Sequence, residues 1–407
     1  MSQPEHIYRN VSSMEPLLPE SNSPVLAELS AEIFRKSGEL KASLPSQVVR
    51  GEVANLVQEM NSYYSNLIEG HKTLPREIET ALQQNIEVTA DDKRNRRMHT
   101  AHIAAEQEMR DMLRECPDTD LYHVNFITGL HEKFYSNLPE EEWYTMSKTE
   151  QRYEIIPGEL RDYNVDVGRH TPPDHSTLQD FLNRYCKFYS SGRILKTNRL
   201  IAIAAAHHRL AWIHPFGDGN GRVARLHSQA CLVQEEVDGD GLWTLSRGLA
   251  RSKVEYYSLL QSADRQRTSD YDGRGNLSDQ ALSRFCEFLL KQMLDQIEFM
   301  VGMIAPQNLL QRIEQYLRIV RIDLKPRQVE NFSRLLKALC LEGEIARGQL
   351  THILDLKSTA VREVIRAGLS DGIISTSSER GPIKIAFPNK VVEYYFPLLF
   401  ADLPVDP

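Results

Sequence analysis

Cysteine is scarce and scattered: five residues (116, 186, 231, 286 and 340) lie along 407, with no CxxC spacing. That excludes a disulfide framework and a thiolate zinc site, and it points to a reducing cytoplasm. No apolar run approaches the ~20 residues that cross a bilayer, so no membrane partner is expected. The opening MSQPEHIYRN has no basic segment followed by an apolar one, so no secretory signal is expected. No internal repeat is visible, and there is little low complexity. What is present is ordinary for a globular protein, 41% hydrophobic and 26% charged residues, over a length that calls for two or three domains. The net charge of −8 is unevenly spread, since residues 311–395 hold 14 Lys and Arg against 10 Asp and Glu. A locally basic part in an acidic chain suits a polyanionic partner.

Apolar spacing gives a mainly α expectation. Residues 1–20, with scattered Pro, Ser and Glu, read as an arm or a poorly ordered tail. Helical periodicity runs from about 24 to 113, then over 121–138, 176–190, 199–213, 251–263 and 278–300. The stretch RLIAIAAAHHRLAWI at 199–213 is apolar on nearly all sides, the mark of a helix at the centre of a bundle. His207 and His208, on that helix, read as structural. YEIIPGELRDYNVDVG suggests two short extended runs around Pro157, Gly158 and Glu159, a hairpin or flap. RTSDYDGRGN reads as a polar, flexible spacer.

The sharpest local signal is IHPFGDGNGRVAR at 213–225. Pro215 must end the buried helix, and a new helix follows the glycines. Gly219, Asn220 and Gly221 therefore precede a helix N-terminus, where successive N–H groups and the helix dipole form an anion site. Arg222 and Arg225 share a face in the first turn, and both can reach phosphate oxygens. Asp218 is a hard oxygen ligand suited to Mg²⁺ held between a carboxylate and phosphates. His214 is the natural general base near neutral pH. Together these residues specify a nucleoside triphosphate, a Mg²⁺ ion and a base for an incoming hydroxyl. The bland alternative, a capped helix junction with surface arginines, leaves the ordered set unexplained.

HPFGDGNGRVAR resembles the Fic (filamentation induced by cAMP) family motif HxFx(D/E)GNGRxxR at every fixed position. The likeness extends over roughly 115–300 and includes PGELR, VDVG and PP ahead of the buried helix. It implies a Fic helical bundle with a β-hairpin flap, and transfer of AMP from ATP, with Mg²⁺, to a Ser, Thr or Tyr hydroxyl of a target protein. By the same resemblance His214 takes the hydroxyl proton and Asp218 holds the metal. Gly217, Gly219, Asn220 and Gly221 line the anion hole, while Arg222 and Arg225 bind the β- and γ-phosphates. Phe216 would anchor the loop, and a flap at 155–167 would align a target segment by strand addition. Tyr256 and Tyr257 would stack on adenine or pack in the core.

Upstream, SYYSNLIEG resembles the family's inhibitory motif (S/T)xxxE(G/N), with Ser65, Glu69 and Gly70 at its fixed positions. This implies an N-terminal inhibitory helix at about 55–70, with Glu69 competing for Arg225. Such proteins are often homodimers. Beyond about 305, helices at 327–341, in ARGQLTHILDL and in STAVREVIRAGL, followed by strands flanking SERGP, resemble a winged helix-turn-helix. Its candidate DNA contacts are Lys357, Ser358, Thr359, Arg362 and Arg366, with protein docking as the other use. The expected domains are 1–113, 114–304 and 305–407. Competing readings are a DNA-binding regulator whose core senses nucleotide, removal of AMP, and another donor such as UMP or phosphocholine.

Overall fold

The computed structural model describes residues 8–20, 23–44, 46–72, 89–146, 150–190, 192 and 194–400. Their helices begin with α1 (Pro24–Ser43), α2 (Gln47–Ile68), α3 (Ala90–Glu115) and α4 (Val124–Ser136). The hairpin β1 (Tyr144–Met146) and β2 (Arg152–Glu154) follows, then α5 (Leu178–Tyr189), α6 (Arg199–Ile213), α7 (Asn220–Gln234), α8 (Leu245–Arg251), α9 (Lys253–Ala263) and α10 (Asp279–Ile304). The chain continues through α11 (Pro306–Gln315), α12 (Pro326–Glu342), β3 (Glu344–Ile345), α13 (Leu350–Leu354), α14 (Ser358–Ser370), β4 (Ile374–Thr376), β5 (Ile383–Ile385) and α15 (Asn389–Tyr395). The fold is mainly α, as expected. Two compact units divide it: Met1–Arg35, Asn61–Asp238 and Thr244–Gln296 form one, and Lys36–Met60, Gly239–Trp243 and Ile297–Pro407 the other.

In the first unit α6 is the central helix. From Leu200 to Ile213 every residue except Ala211 is buried, because the alanines let α5 and α7 pack closely on either side. Helices α3 and α4 also pack on α7. The loop from His214 to Gly219 therefore springs from one buried helix and enters another.

One expectation is narrowed here and two are corrected. Residues 8–20 are a packed arm and not a tail: Met14 and Leu17 are buried, and Arg209 donates to the Pro16 carbonyl at 3.0 Å through Nε. The spacer at 267–276 closes on that arm, with Leu277 N–H donating to Glu15 C=O at 2.8 Å and Asn276 Nδ2 to Ser12 C=O at 2.9 Å. The hairpin lies earlier than expected, pairing Tyr144 with Glu154 and Met146 with Arg152. Residues 155–161 form no strand and turn at Pro157 and Gly158, because Pro157 has no N–H to offer a ladder and Gly158 takes φ +82°.

In the second unit the order α12, β3, α13, α14, β4, β5 carries a three-stranded antiparallel sheet in the order β3-β5-β4. Ile383 and Ile385 point into the core and Lys384 does not, the period-two alternation of a strand with one covered face. Against them pack Phe332, Leu335, Leu336 and Leu339 of α12, with Val361 and Ile365 of α14 also buried. The strand β3 had no counterpart in the sequence reading.

Candidate functional site

The loop is held by its backbone. His214 caps α6 in the left-handed region, φ 50° and ψ 61°, a conformation that costs a non-glycine residue about 1 kcal/mol or more unless neighbours hold it. Arg161 does so: its Nε donates to the His214 carbonyl at 2.9 Å, its N–H to Pro215 C=O at 3.0 Å, and Nη2 to Pro173 C=O at 2.7 Å. Asn220 closes the other side, accepting from Phe216 N–H at 2.9 Å and donating to Phe216 C=O at 2.8 Å. Phe216 is fully buried and stacks on His131 at 4.1 Å, while His131 Nδ1 accepts from Gly158 N–H at 2.9 Å. His131 thus ties the turn at Gly158 to the loop.

Burial, with Arg161 and His170 beside it, pushes the His214 imidazole down to about 4. At neutral pH the ring is uncharged, so one of its nitrogens carries a lone pair able to accept a proton. Asp218 Oδ2 accepts from Tyr135 OH at 2.8 Å and from Arg222 Nη2 at 3.2 Å. Burial would raise this carboxyl, but Arg222, the Gly219 N–H and Tyr135 outweigh it and hold it below the usual carboxylate range. Arg222 lies over the Phe134 ring at 4.8 Å, and its Nε is buried without an acceptor. A buried cationic N–H in that condition fits an incoming phosphate oxygen.

The glycines serve distinct purposes. Gly219 adopts φ +78° at the entry to α7, and a Cβ there would lie 2.9 Å from Tyr135 Cε2. At Gly217 a Cβ would collide with the Tyr163 hydroxyl, which is buried beside it without a hydrogen-bond partner. At Gly221 a Cβ would collide with Glu69 Oε1 and approach Arg225 Nη1 to 3.1 Å. The Glu69 carboxylate therefore sits directly on the first turn of α7, in the anion cradle.

Ser65 and Glu69 reach this point from α2. Arg225 Nε donates to Ser65 Oγ at 2.9 Å, and Nη2 to Ser65 C=O at 2.9 Å and to Glu69 Oε1 at 2.6 Å. Gly70, φ +98°, stops the helix so that His71 N–H bonds back to Asn66 C=O at 3.0 Å, and Tyr257 OH donates to Ile68 C=O at 3.2 Å. Burial would raise the Glu69 carboxyl; Arg225 and Arg222 bring it below its usual value. The pair is lopsided, with the Arg225 side chain 3% exposed and Glu69 29% exposed.

Of the tyrosines, Tyr256 is buried with its hydroxyl 2.8 Å from His207 Nε2, whereas Tyr257 is 43% exposed. Lys357, Ser358, Thr359, Arg362 and Arg366 belong to the second unit, all exposed at or on α14. Arg161, His131, Tyr135 and Tyr163 were not found from the sequence. The contacts that give them roles at the loop, His131 with Gly158, Arg161 with His214 and Tyr135 with Asp218, span 27, 53 and 83 residues. Among the described residues no group of three or more His, Cys, Asp or Glu side chains could hold a metal. The one carboxylate of the loop suits a cation shared with phosphates rather than a protein cage.

A buried central helix, a strained His junction and a glycine cradle at the next helix define a Fic-type core. Residues 122–232 match the family described as Fic/DOC family, and the chain carries a Fic domain. It is 36% identical over 80 residues to the "Protein adenylyltransferase Fic" of Aedes aegypti, and 38% identical over 80 residues to that of Drosophila erecta. Each match covers 20% of this chain, and the chain spans 16% of the length of those relatives. In fold it is similar to a Fic family protein from Desulfovibrio desulfuricans G20, with a TM-score of 0.52 and 17% identity over 91% of this chain and 98% of that one.

Proposed function

We propose that this chain is a protein adenylyltransferase, restrained by its own Glu69. The Gly219–Gly221 backbone, Arg222 and Arg225 hold the phosphates of ATP. His214 accepts the proton of a Ser, Thr or Tyr hydroxyl on a target protein as that oxygen bonds to the α-phosphorus. The bond from the α-phosphorus to the β-phosphate oxygen breaks, and pyrophosphate departs. Mg²⁺, held by Asp218 together with the phosphates, would neutralise charge on the triphosphate. His214 is already neutral, and Arg161 and Asn220 fix the loop before substrate arrives, so little reorganisation is needed at the reacting step.

The observation that carries this reading is the seat of the Glu69 carboxylate against Gly221, 2.6 Å from Arg225. A carboxylate there takes the cation that a γ-phosphate requires, and a triphosphate displaced by ~1 Å loses on the order of 10²-fold in rate. With α-labelled ATP, Mg²⁺ and cell lysate, Glu69→Gly is expected to label itself or a target at least tenfold faster than wild type. Adding His214→Ala should abolish labelling while ATP still binds. Equal labelling by wild type and Glu69→Gly would remove the restraint from the reading.

For the C-terminal module we propose a winged helix that docks on duplex DNA. Support comes from the order helix, strand, two helices and hairpin, and from the exposure of Lys357, Arg362 and Arg366. Fluorescence anisotropy with a random duplex should show binding that weakens with salt. Arg362→Ala with Arg366→Ala should weaken it by about tenfold or more, the order expected for two lost phosphate or base contacts. Unchanged binding would count against this use of α14.

A further inference from the structure

The Tyr163 hydroxyl is buried and, among the described residues, has no hydrogen-bond partner. It lies against the α-carbon of Gly217, and the ring carbon that bears it, Cζ, is 3.4 Å from where a Cβ would stand. A buried hydroxyl left without a partner destabilises the fold, so packing alone would favour phenylalanine at this position.

The phenol is held in this place from two sides. Its ring stacks on Tyr153 of β2, with centroids 4.0 Å apart and planes at 21°, and Tyr153 is fixed in turn by its pairing with Thr145 across the hairpin. At the backbone, Tyr163 C=O accepts from Arg161 Nη1 at 2.7 Å, while Arg161 Nε donates to the His214 carbonyl at 2.9 Å. One guanidinium thus sets both the phenol and the junction that bears the base. Burial, with Asp162 and Tyr153 beside it, pushes the phenol up to about 12, so it keeps its hydrogen at neutral pH.

Gly217 stands between the base and the phosphate cradle. His214 lies three residues before it, and Asp218 and Gly219–Gly221 follow it directly. The stretch between offers few donors of its own: Pro215 has no N–H, and the Phe216 N–H is taken by Asn220 Oδ1 at 2.9 Å. On the adenylyltransferase reading, the α-phosphorus bonds to the oxygen that His214 deprotonates, while the outer phosphates lie at the cradle and its arginines. The α-phosphate is therefore the group that faces Gly217. A phenol hydrogen turns about its C–O bond to suit an acceptor that arrives there.

We propose that Tyr163 is a catalytic residue whose hydroxyl donates to a non-bridging oxygen of the α-phosphate during transfer. This rests on the adenylyltransferase reading of the loop. Nothing is transferred to or from Tyr163: its O–H stays intact, the acceptor's proton goes to His214, and pyrophosphate leaves. A preorganised donor aimed at developing charge acts most strongly in the transition state, so its effect falls on rate more than on ATP binding.

The test uses the Glu69→Gly protein and compares ATP with the two diastereomers of ATP that carry sulfur in place of one non-bridging α-oxygen. Adding Tyr163→Phe removes one oxygen and keeps the ring that stacks on Tyr153. The labelling rate at saturating ATP should fall by about 10²-fold, the order of one lost transition-state donor, with ATP affinity within about twofold. Sulfur is a weak acceptor, so with one of the diastereomers Tyr163 and Phe should differ far less than they do with ATP. Chemical denaturation should find Tyr163→Phe as stable as its parent or more so, because no hydrogen bond is lost. An unchanged rate with ATP, a loss confined to affinity, equal losses for ATP and both diastereomers, or a less stable Tyr163→Phe would each overturn the proposal. If Glu69→Gly does not label with ATP at all, the adenylyltransferase reading falls, and this inference with it.

Discussion

His214 joins two properties that usually oppose each other. Burial and the neighbouring Arg161 and His170 depress its pKa to about 4, so it is ready to accept a proton at any pH above that value. The same depression makes it a weaker base than an exposed imidazole, so the proton transfer depends on positioning, which the left-handed backbone and the Arg161 clamp provide. The pH profile follows with a definite sign. A depressed His pKa keeps the neutral, active form populated as pH falls, so kcat/KM of Glu69→Gly should stay flat below the ordinary value of 6.5 and decline only toward about 4. An acid limb centred at 6.5 or above in the steady-state profile would contradict this. Glu69 moves the same way: its lowered pKa keeps the ion pair with Arg225 intact above the usual 4.5 for a carboxylate, and the pair is lost only below it. At this scale the sequence was most informative, because base, carboxylate, glycines and arginines fall within one short stretch. Arg161, the last residue of PGELR, received no role from the sequence because the His214 carbonyl it holds lies 53 residues downstream.

At the scale of elements, the end of α2 is the movable part. Gly70 stops the helix, Arg225 grips Ser65 and Glu69, and Tyr257 OH secures the Ile68 carbonyl at 3.2 Å. Removing that hydroxyl should loosen the turn while keeping the ring. Tyr257→Phe is accordingly expected to raise labelling by wild-type Glu69 protein severalfold, and to change stability by no more than about 1 kcal/mol, the net worth of one hydrogen bond. Labelling rates and chemical denaturation measure the two, and a slower variant would argue against the latch. Helices were legible from periodicity: 199–213 was bounded as found. The hairpin was misplaced because its two strands are three residues each, too short to show alternation, and Pro157 drew the reading downstream. Residues 8–20 stayed open between arm and tail in the sequence because their order comes from Arg209 and Tyr189 reaching them across more than 150 residues.

Across the whole molecule, the five cysteines are distributed in a way that gives a simple measure of native packing. Cys116 is exposed, Cys186 is half-buried, and Cys231, Cys286 and Cys340 are buried. Burial pushes the Cys186, Cys231 and Cys340 thiols up to about 12 and raises Cys286 as well, so thiolate is scarce at those positions. With a disulfide reagent at mild alkaline pH, the native chain should show one fast thiol, Cys116, and all five only after unfolding. Several fast thiols in the native protein would contradict the burial of Cys231, Cys286 and Cys340.

The bare α-carbon of Gly221 has a consequence for inheritance. It admits the Glu69 carboxylate, and on the proposed function a phosphate by the same route, so a side chain that shuts out Glu69 would shut out the nucleotide too. In a selection for overactive alleles, hits should therefore cluster in the short segment 65–70 and hardly ever at 214–225, where changes would yield nulls.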